Sequence, residues 1–297
     1  MINLRKISDT THIRSAAFAS VVVASILIVL KFFAWEMTHS VSLQGSLIDS
    51  LLDALASLIT MIAVYHATKP ADKEHRFGHG KAESLAALGQ TLCICITSLW
   101  VLYEAKERFS TPEPIKESEI GIIIMGIAMI LTMILITYQA FVIKKTGSSA
   151  IAADRVHYQS DFLINGAVMV SLVGSKFFHL EILDSLFGVF IGLYILWTAL
   201  KITVKAFNVL MDRELEDEER EKILSIIKSH PEVFNVKDLR TRTSGLQQFF
   251  QLRLLLQEEL PLCQADQIAC EVEKEIIKAY PKSQIIIRLE PIKKRSK

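Results

Sequence analysis

The chain is poor in the residues that staple or switch a small soluble domain. Four cysteines in 297 residues, Cys93, Cys95, Cys263 and Cys270, make no disulfide framework. Cys93 and Cys95, two apart on a helix, point to different faces and form no ligand pair. Lys and Arg (33) nearly balance Asp and Glu (32). The basic residues are scattered, so nothing marks a nucleic-acid partner. No H-E-x-x-H occurs, which removes the common helix-borne hydrolytic zinc motif. Internal repeats and low-complexity linkers are absent as well. The N-terminus lacks the short apolar core and small-residue cleavage site of a removable signal, so its first apolar stretch is expected to stay as an anchor. Histidine is sparse: eight in all, and after Leu210 only His230.

Apolar residues are what the chain has in excess, at 51%. A bilayer core about 30 Å thick needs roughly 20 apolar residues per spanning helix. Stretches of that kind fall at 14–36, 40–66, 84–104, 119–143, 156–178 and 182–207. Six spans are therefore expected in a membrane domain over 1–210. The fifth is the weakest, because its first turns carry Asp154, Arg155, His157 and Asp161. An even number of spans leaves both termini on one side. That side holds Arg5, Lys6, Arg14, Lys69, Lys73, Arg76, Lys81, Lys144, Lys145 and Arg155, whereas the other holds only Lys106, Arg108, Lys116 and Lys176. The bias places both termini in the cytoplasm of a multi-pass protein of the cell (inner) membrane.

Residues 211–297 read as a separate soluble domain. Asp217–His230 is patterned as an amphipathic helix led in by acidic residues, which suit a helix N-terminus. Strands are expected at 236–242, 247–257 and 284–292, with a helix at 263–280. In the second strand Phe250, Leu252, Leu254 and Leu256 share one face, and in the third Ile285, Ile287 and Leu289 do. The order αββαβ gives an α+β domain with helices on one sheet face and the other face open.

Carboxylates inside apolar stretches carry the chemistry. Asp49 and Asp53 are four residues apart in the second span, and His157 and Asp161 repeat the spacing in the fifth. Residues at i and i+4 share a helix face. Each ionised group at mid-membrane costs about 2.5–3.5 kcal/mol even on the mild insertion scale, so these acids need a partner. Each pair lies roughly 17 Å along its helix from opposite sides of the membrane, a depth at which both can meet near the midplane. Three carboxylates and an imidazole then supply four-coordinate ligation for a divalent transition metal. Emptied of metal, the crowded acids gain proton affinity. Filled, they must release protons. A site that alternates between metal and protons is an antiporter. The plainer reading is pairing with basic residues, for which the spans offer few candidates, and Lys31 and Lys201 lie near enough to span ends to reach the interface. A membrane metal sensor that binds without transporting is the alternative function, and a hydrolytic enzyme is disfavoured for want of a nucleophile or substrate pocket.

The segments S46-LIDSLLDALASL, P70-ADKEHRFGHGKAESLAALGQ, H157-YQSDFLINGA and L210-MDRELEDEER resemble the cation diffusion facilitator family, in particular its bacterial zinc and ferrous-iron efflux branch. The resemblance covers nearly the whole chain. It implies a homodimer, no organic cofactor and no enzyme activity. It also implies export of a divalent metal from the cytoplasm against inward protons. Zinc is expected first, ferrous iron second and cadmium as a further cargo, since imidazole suits these better than manganese, which prefers oxygen. The transport site falls on Asp49, Asp53, His157 and Asp161. An accessory metal site falls on Asp72, His75 and His79 in the loop after the second span, where Gly78 and Gly80 let the backbone turn. Lys81 and Asp212 match an inter-subunit charge interlock, although as residues they read equally as ordinary interfacial charges.

One departure stands out. Where the resemblance implies a binuclear zinc site on the open sheet face, this chain has Lys237, Arg253, Asp266, Arg288 and Glu290. Protonated lysine and arginine cannot ligate metal. Charge pairs between subunits are expected there instead.

Overall fold

The computed structural model describes residues 2–38, 41–110, 119–178 and 182–292, with side chains described from residue 9 except in 38–43, 45, 108–120 and 171–185. Residues 8–207 form one compact unit, and the chain from Asn208 belongs to a second. Arg5, Lys6, Arg108, Lys116 and Lys176 of the charge comparison lie outside the residues with described side chains.

Six long helices make up the first unit: α1 (Ile2–Thr38), α2 (Val41–Ala67), α3 (Lys81–Ser110), α4 (Glu119–Thr146), α5 (Ser149–Phe178) and α6 (Ile182–Leu210). The helices α1 and α5 begin well before the apolar stretches at 14 and 156, because hydropathy marks what faces lipid while helix geometry continues through polar turns. Among the described residues, α1, α2, α3, α4 and α6 are each long and apolar enough to cross a membrane. The helix α5 lies among them with Asp154, Arg155, His157 and Asp161 turned to protein rather than lipid, as intramembrane charges require. The chain is an integral membrane protein.

Tight junctions and small residues hold these helices close. At Gly147, whose φ of +73° suits glycine, α4 ends, and the amide of Gly147 donates to Ile143 O at 2.8 Å. Ser148 Oγ then accepts from the amide of Ile151, so α5 starts at once. Ala87, Ala153 and Ala206 pack together where α3, α5 and α6 meet, the close approach that small residues permit in lipid.

The strongest fastening is polar. Asp154, wholly buried on α5, accepts three hydrogen bonds: from Ser20 Oγ of α1 at 2.5 Å, Gln139 Nε2 of α4 at 2.7 Å and Gln90 Nε2 of α3 at 3.1 Å. Thr60 Oγ1 of α2 donates to Gln90 Oε1 at 3.2 Å. One turn along α5, Tyr158 Oη donates to Ser20 O at 3.2 Å and bonds Ser57 Oγ of α2 at 2.8 Å. Every helix from α1 to α5 thus contributes to one buried polar cluster.

In the second unit, α7 (Asp217–Lys228) and α8 (Leu262–Ala279) cover one face of a sheet ordered β1 (Asn235–Ser244), β2 (Gln247–Leu256), β3 (Ser283–Pro291). The strands β1 and β2 are antiparallel, and β2 and β3 are parallel with α8 as the crossover. The core joins Ile223 and Ile227, then Ile268, Val272 and Ile276, to Phe250, Leu252, Leu254 and Leu256. The spacings are those of one helix face and one strand face. Tyr280 Oη donates to Glu219 Oε2 at 2.7 Å, which ties α7 to the end of α8. Burial, followed by the neighbouring Glu219 carboxylate, pushes the Tyr280 phenol up to about 12.

On the open face ion pairs form within the chain. Glu290 meets Lys237 at 3.6 Å and Arg253 at 3.5 Å, and Arg253 meets Asp238 at 3.1 Å. Neighbouring strands bring these groups side by side, because Lys237 and Arg253 are register partners and Glu290 lies on the adjacent strand. Arg288 and Asp266 are exposed.

Removal of the acceptor should loosen the membrane bundle. Asp154→Ala strands three donors in a water-free interior and is expected to cost about 2–4 kcal/mol. In detergent its melting temperature should fall well below that of wild type. Asp154→Asn, which keeps one acceptor oxygen, should fall between. Equal melting of all three proteins would remove this cluster as a fastening.

Candidate metal centre

The centre forms where α2 and α5 cross, each offering one face of its helix. His157 Nε2 lies 2.9 Å from Asp53 Oδ1 and 3.9 Å from Asp161 Oδ2. One ligand atom from each of the three residues lies within 4.8 Å of the others. Tetrahedral zinc with bonds near 2.0–2.2 Å holds its ligand atoms about 3.4 Å apart, so small side-chain adjustments close these three on one ion. Asp161 Oδ2 is buried without a hydrogen-bond partner. An orphaned carboxylate oxygen facing an imidazole and a second carboxylate is a coordination position in search of a cation.

Asp49 is not gathered with them. It is exposed on the surface of α2 and falls outside the cluster that holds Asp53. Four residues of helix rise separate the two carboxylates by about 6 Å along the axis, and the hydrogen bond from His157 draws the centre to the level of Asp53. Of the four groups expected to converge, Asp53, His157 and Asp161 lie together and Asp49 does not.

Lys31 also differs from expectation. Its ammonium crosses to α2, donating to Ser46 O at 3.1 Å and Ser50 Oγ at 2.7 Å. Lys201 sits over the Trp197 ring with Nζ 3.4 Å from the centroid, an exposed cation–π contact.

A second cluster lies in the loop between α2 and α3. Asp72 Oδ1 accepts from the amides of Glu74 at 3.0 Å and His75 at 2.6 Å, an Asx turn that fixes the loop. Gly78 follows at φ +79°, and its amide donates to His75 O at 2.9 Å. The chain reverses there and returns His79 to Asp72, with Nε2 3.2 Å from Oδ2. His75 Nδ1 is 3.5 Å from Asp72 Oδ1, and ligand atoms of all three residues lie within 4.8 Å of one another. His79 Nδ1 is buried and lacks a partner. The amide hydrogen bond from His75, above all, holds the Asp72 carboxyl below the usual carboxylate range. Gly80 has no left-handed backbone, so Gly78 alone supplies that freedom.

Lys81 is the first residue of α3. Asp212, just after α6, has φ +54° and pairs with Arg242 at 3.2 Å. Glu83 is buried and accepts from the amide of Ala150 at 3.4 Å, and Gln159 Nε2 donates to Tyr194 Oη at 3.1 Å.

Residues 17–211 match the family model of the cation efflux transmembrane domain. Residues 215–292 match that of the cation efflux protein cytoplasmic domain. The chain is similar to the cation-efflux pump FieF of Citrobacter koseri, 45% identical over 93% of this chain and 92% of that protein. The FieF pump of Yersinia enterocolitica is 44% identical over 94% of this chain and 93% of its own length. A solved structure of CzrB in its zinc form is 28% identical over 29% of this chain and 99% of that one, at a TM-score of 0.27. With both of its domains matched in order and near-complete alignment to curated pumps, the chain belongs to the cation efflux family.

Proposed function

We propose that this chain is a homodimeric antiporter of the inner membrane, with cytoplasmic termini. It exports Zn²⁺ first, Fe²⁺ second and Cd²⁺ as a further cargo, in exchange for protons. The transport ligands are Asp53, His157 and Asp161, with Asp49 added by rotation of its side chain when the ion arrives. The observation that carries this reading is the gathering of two carboxylates and an imidazole within 4.8 Å between apolar helices, with one carboxylate oxygen unpartnered. A single imidazole among carboxylates favours zinc and ferrous iron over manganese. Membership of the cation efflux family supports the direction of transport.

Exchange follows from charge. The three acids of the quartet with a neutral imidazole carry three negative charges when empty, and such a cluster in a poorly solvated interior takes up protons. A divalent ion displaces those protons because only deprotonated ligands bind metal. Metal and protons compete for one set of atoms, so each leaves when the other is abundant.

The loop cluster of Asp72, His75 and His79 is the accessory site in this reading. It is open to water, with His75 and Asp72 more than half exposed, so its ion exchanges with the surrounding solution.

Proteoliposome flux tests the centre. Asp53→Ala and His157→Ala should each abolish zinc uptake into inside-out vesicles, a fall of at least 10²-fold, while the protein still inserts and dimerises. Wild-type flux in either variant would remove the centre from the mechanism. His79→Ala should raise the half-saturating zinc concentration a few-fold with maximal flux kept, and abolished transport would promote the loop from accessory to essential. Asp72 gives a pH test with a definite sign. Its carboxyl is depressed in the fold, so the order that its charged form gives the loop is complete above the usual carboxylate pKa and is lost as pH falls through the depressed value. Protease nicking of the loop should therefore stay slow down to the ordinary carboxylate range and accelerate below it, and Asp72→Asn should be nicked quickly at every pH.

A further inference from the structure

Lys31 is the sole charged residue of α1 between Arg14 and Glu36. It stands about 10 Å of helix rise from the end of α1 at Thr38. A lysine stem at that depth can carry its ammonium to the interface. This one turns across to α2 instead and is held by the carbonyl of Ser46 and the hydroxyl of Ser50. Ser50 is buried and sits between Asp49 and Asp53 in sequence. The ammonium is thus fixed by neutral groups beside the acids rather than clamped to one of them. Ser46 and Ser50 belong to the same stretch of α2 as Asp49 and Asp53, so the ammonium stands beside that acidic stretch.

We propose that Lys31 is a specificity-determining residue of the transport centre, a built-in positive charge that completes the neutralisation of a metal-loaded site and limits how tightly the metal is held. The inference rests on the transport reading above. Three carboxylates and a divalent ion leave one negative charge, and a net charge between apolar helices is costly. The Lys31 ammonium cancels it. A monovalent ion leaves the same set one charge short and a trivalent ion one in excess, so the fixed charge favours divalent cargo. It also repels that cargo. Like charges in a poorly solvated interior weaken binding, and an exporter that must release its ion gains from a hold that is not too strong. The hydrogen bonds to Ser46 and Ser50 keep the charge near the ions without making it a ligand, because a protonated amine has no lone pair to offer.

Equilibrium ⁶⁵Zn²⁺ and ¹⁰⁹Cd²⁺ binding and vesicle flux, measured on full-length protein in a His75→Ala/His79→Ala background to silence the loop, test this. Lys31→Gln keeps a hydrogen-bond donor and removes the charge. It should bind zinc on the order of tenfold tighter and lower maximal flux several-fold, so that the half-saturating concentration and the turnover fall together. Lys31→Arg should restore both values to near wild type. Ser50→Ala, which loosens the tether and keeps the charge, should change affinity less than twofold. If Lys31→Gln does not fold, Lys31→Met takes its place with the same expectation. Affinity within twofold of wild type in the uncharged variant would overturn the proposal. So would an equal change in Lys31→Arg or Ser50→Ala, which would make Lys31 a structural tether. Asp53→Ala in the same assay separates the two readings: its loss of binding with an unaltered Lys31→Gln leaves the transport centre standing and removes the counter-charge alone.

Discussion

A charged side chain between apolar helices survives only where protein supplies what water would have given. That constraint organises the membrane unit of this chain, and α5 is where it bites hardest. Asp154, His157 and Asp161 fall within two turns of that helix, too close together and too polar to face lipid. The surrounding helices answer in two ways. Around Asp154 they bring hydroxyls and amides until the carboxylate is saturated with donors. Around His157 and Asp161 they bring another carboxylate and leave an oxygen unpaired. The first answer builds structure, and the second leaves a buried carboxylate oxygen of Asp161 without a hydrogen-bond partner.

The two polar layers lie along one direction. Asp53 meets His157, and the next turn of α2 meets the preceding part of α5 through Ser57, Tyr158, Thr60 and the Asp154 cluster. Moving from the candidate centre toward the 68–80 loop, an ion therefore encounters buried side chains already bonded to one another. On the other side stands Asp49, exposed and outside the gathered group. Access through the saturated layer requires several hydrogen bonds across α1 to α5 to part together.

Much of the fold was legible because its forces have a period. Long apolar stretches marked the helices, and alternation in 247–257 and 284–292 marked β2 and β3, since both patterns record which face meets an apolar phase. The spacing of Asp49 with Asp53 and of His157 with Asp161 was legible for the same reason. Contact between specific side chains was not. Nothing in the sequence distinguishes a lysine that reaches the interface from one that crosses to Ser50, because both use the same stem and differ only in what lies alongside. Asp154 looked like a flaw in a span, because its three donors come from residues up to 134 positions away. Arg253 and Glu290 could be placed on one face by alternation, but only adjacency of β2 and β3 shows that they meet within the chain.

The open sheet face of the soluble unit shows the same economy under different solvent. Lys237, Arg253, Asp238 and Glu290 pair among themselves where water screens every charge, and such pairs are each worth roughly 0–1 kcal/mol. They neutralise the surface without fixing it strongly. Inside the membrane unit far fewer charges have far larger effects, because nothing screens them. A lone ammonium held by Ser46 and Ser50 therefore stands unscreened beside the stretch of α2 that carries Asp49 and Asp53. A comparable lysine on the sheet answers mainly to its nearest carboxylate. Position in a dielectric, more than residue type, decides which of the charges in this chain can govern an ion.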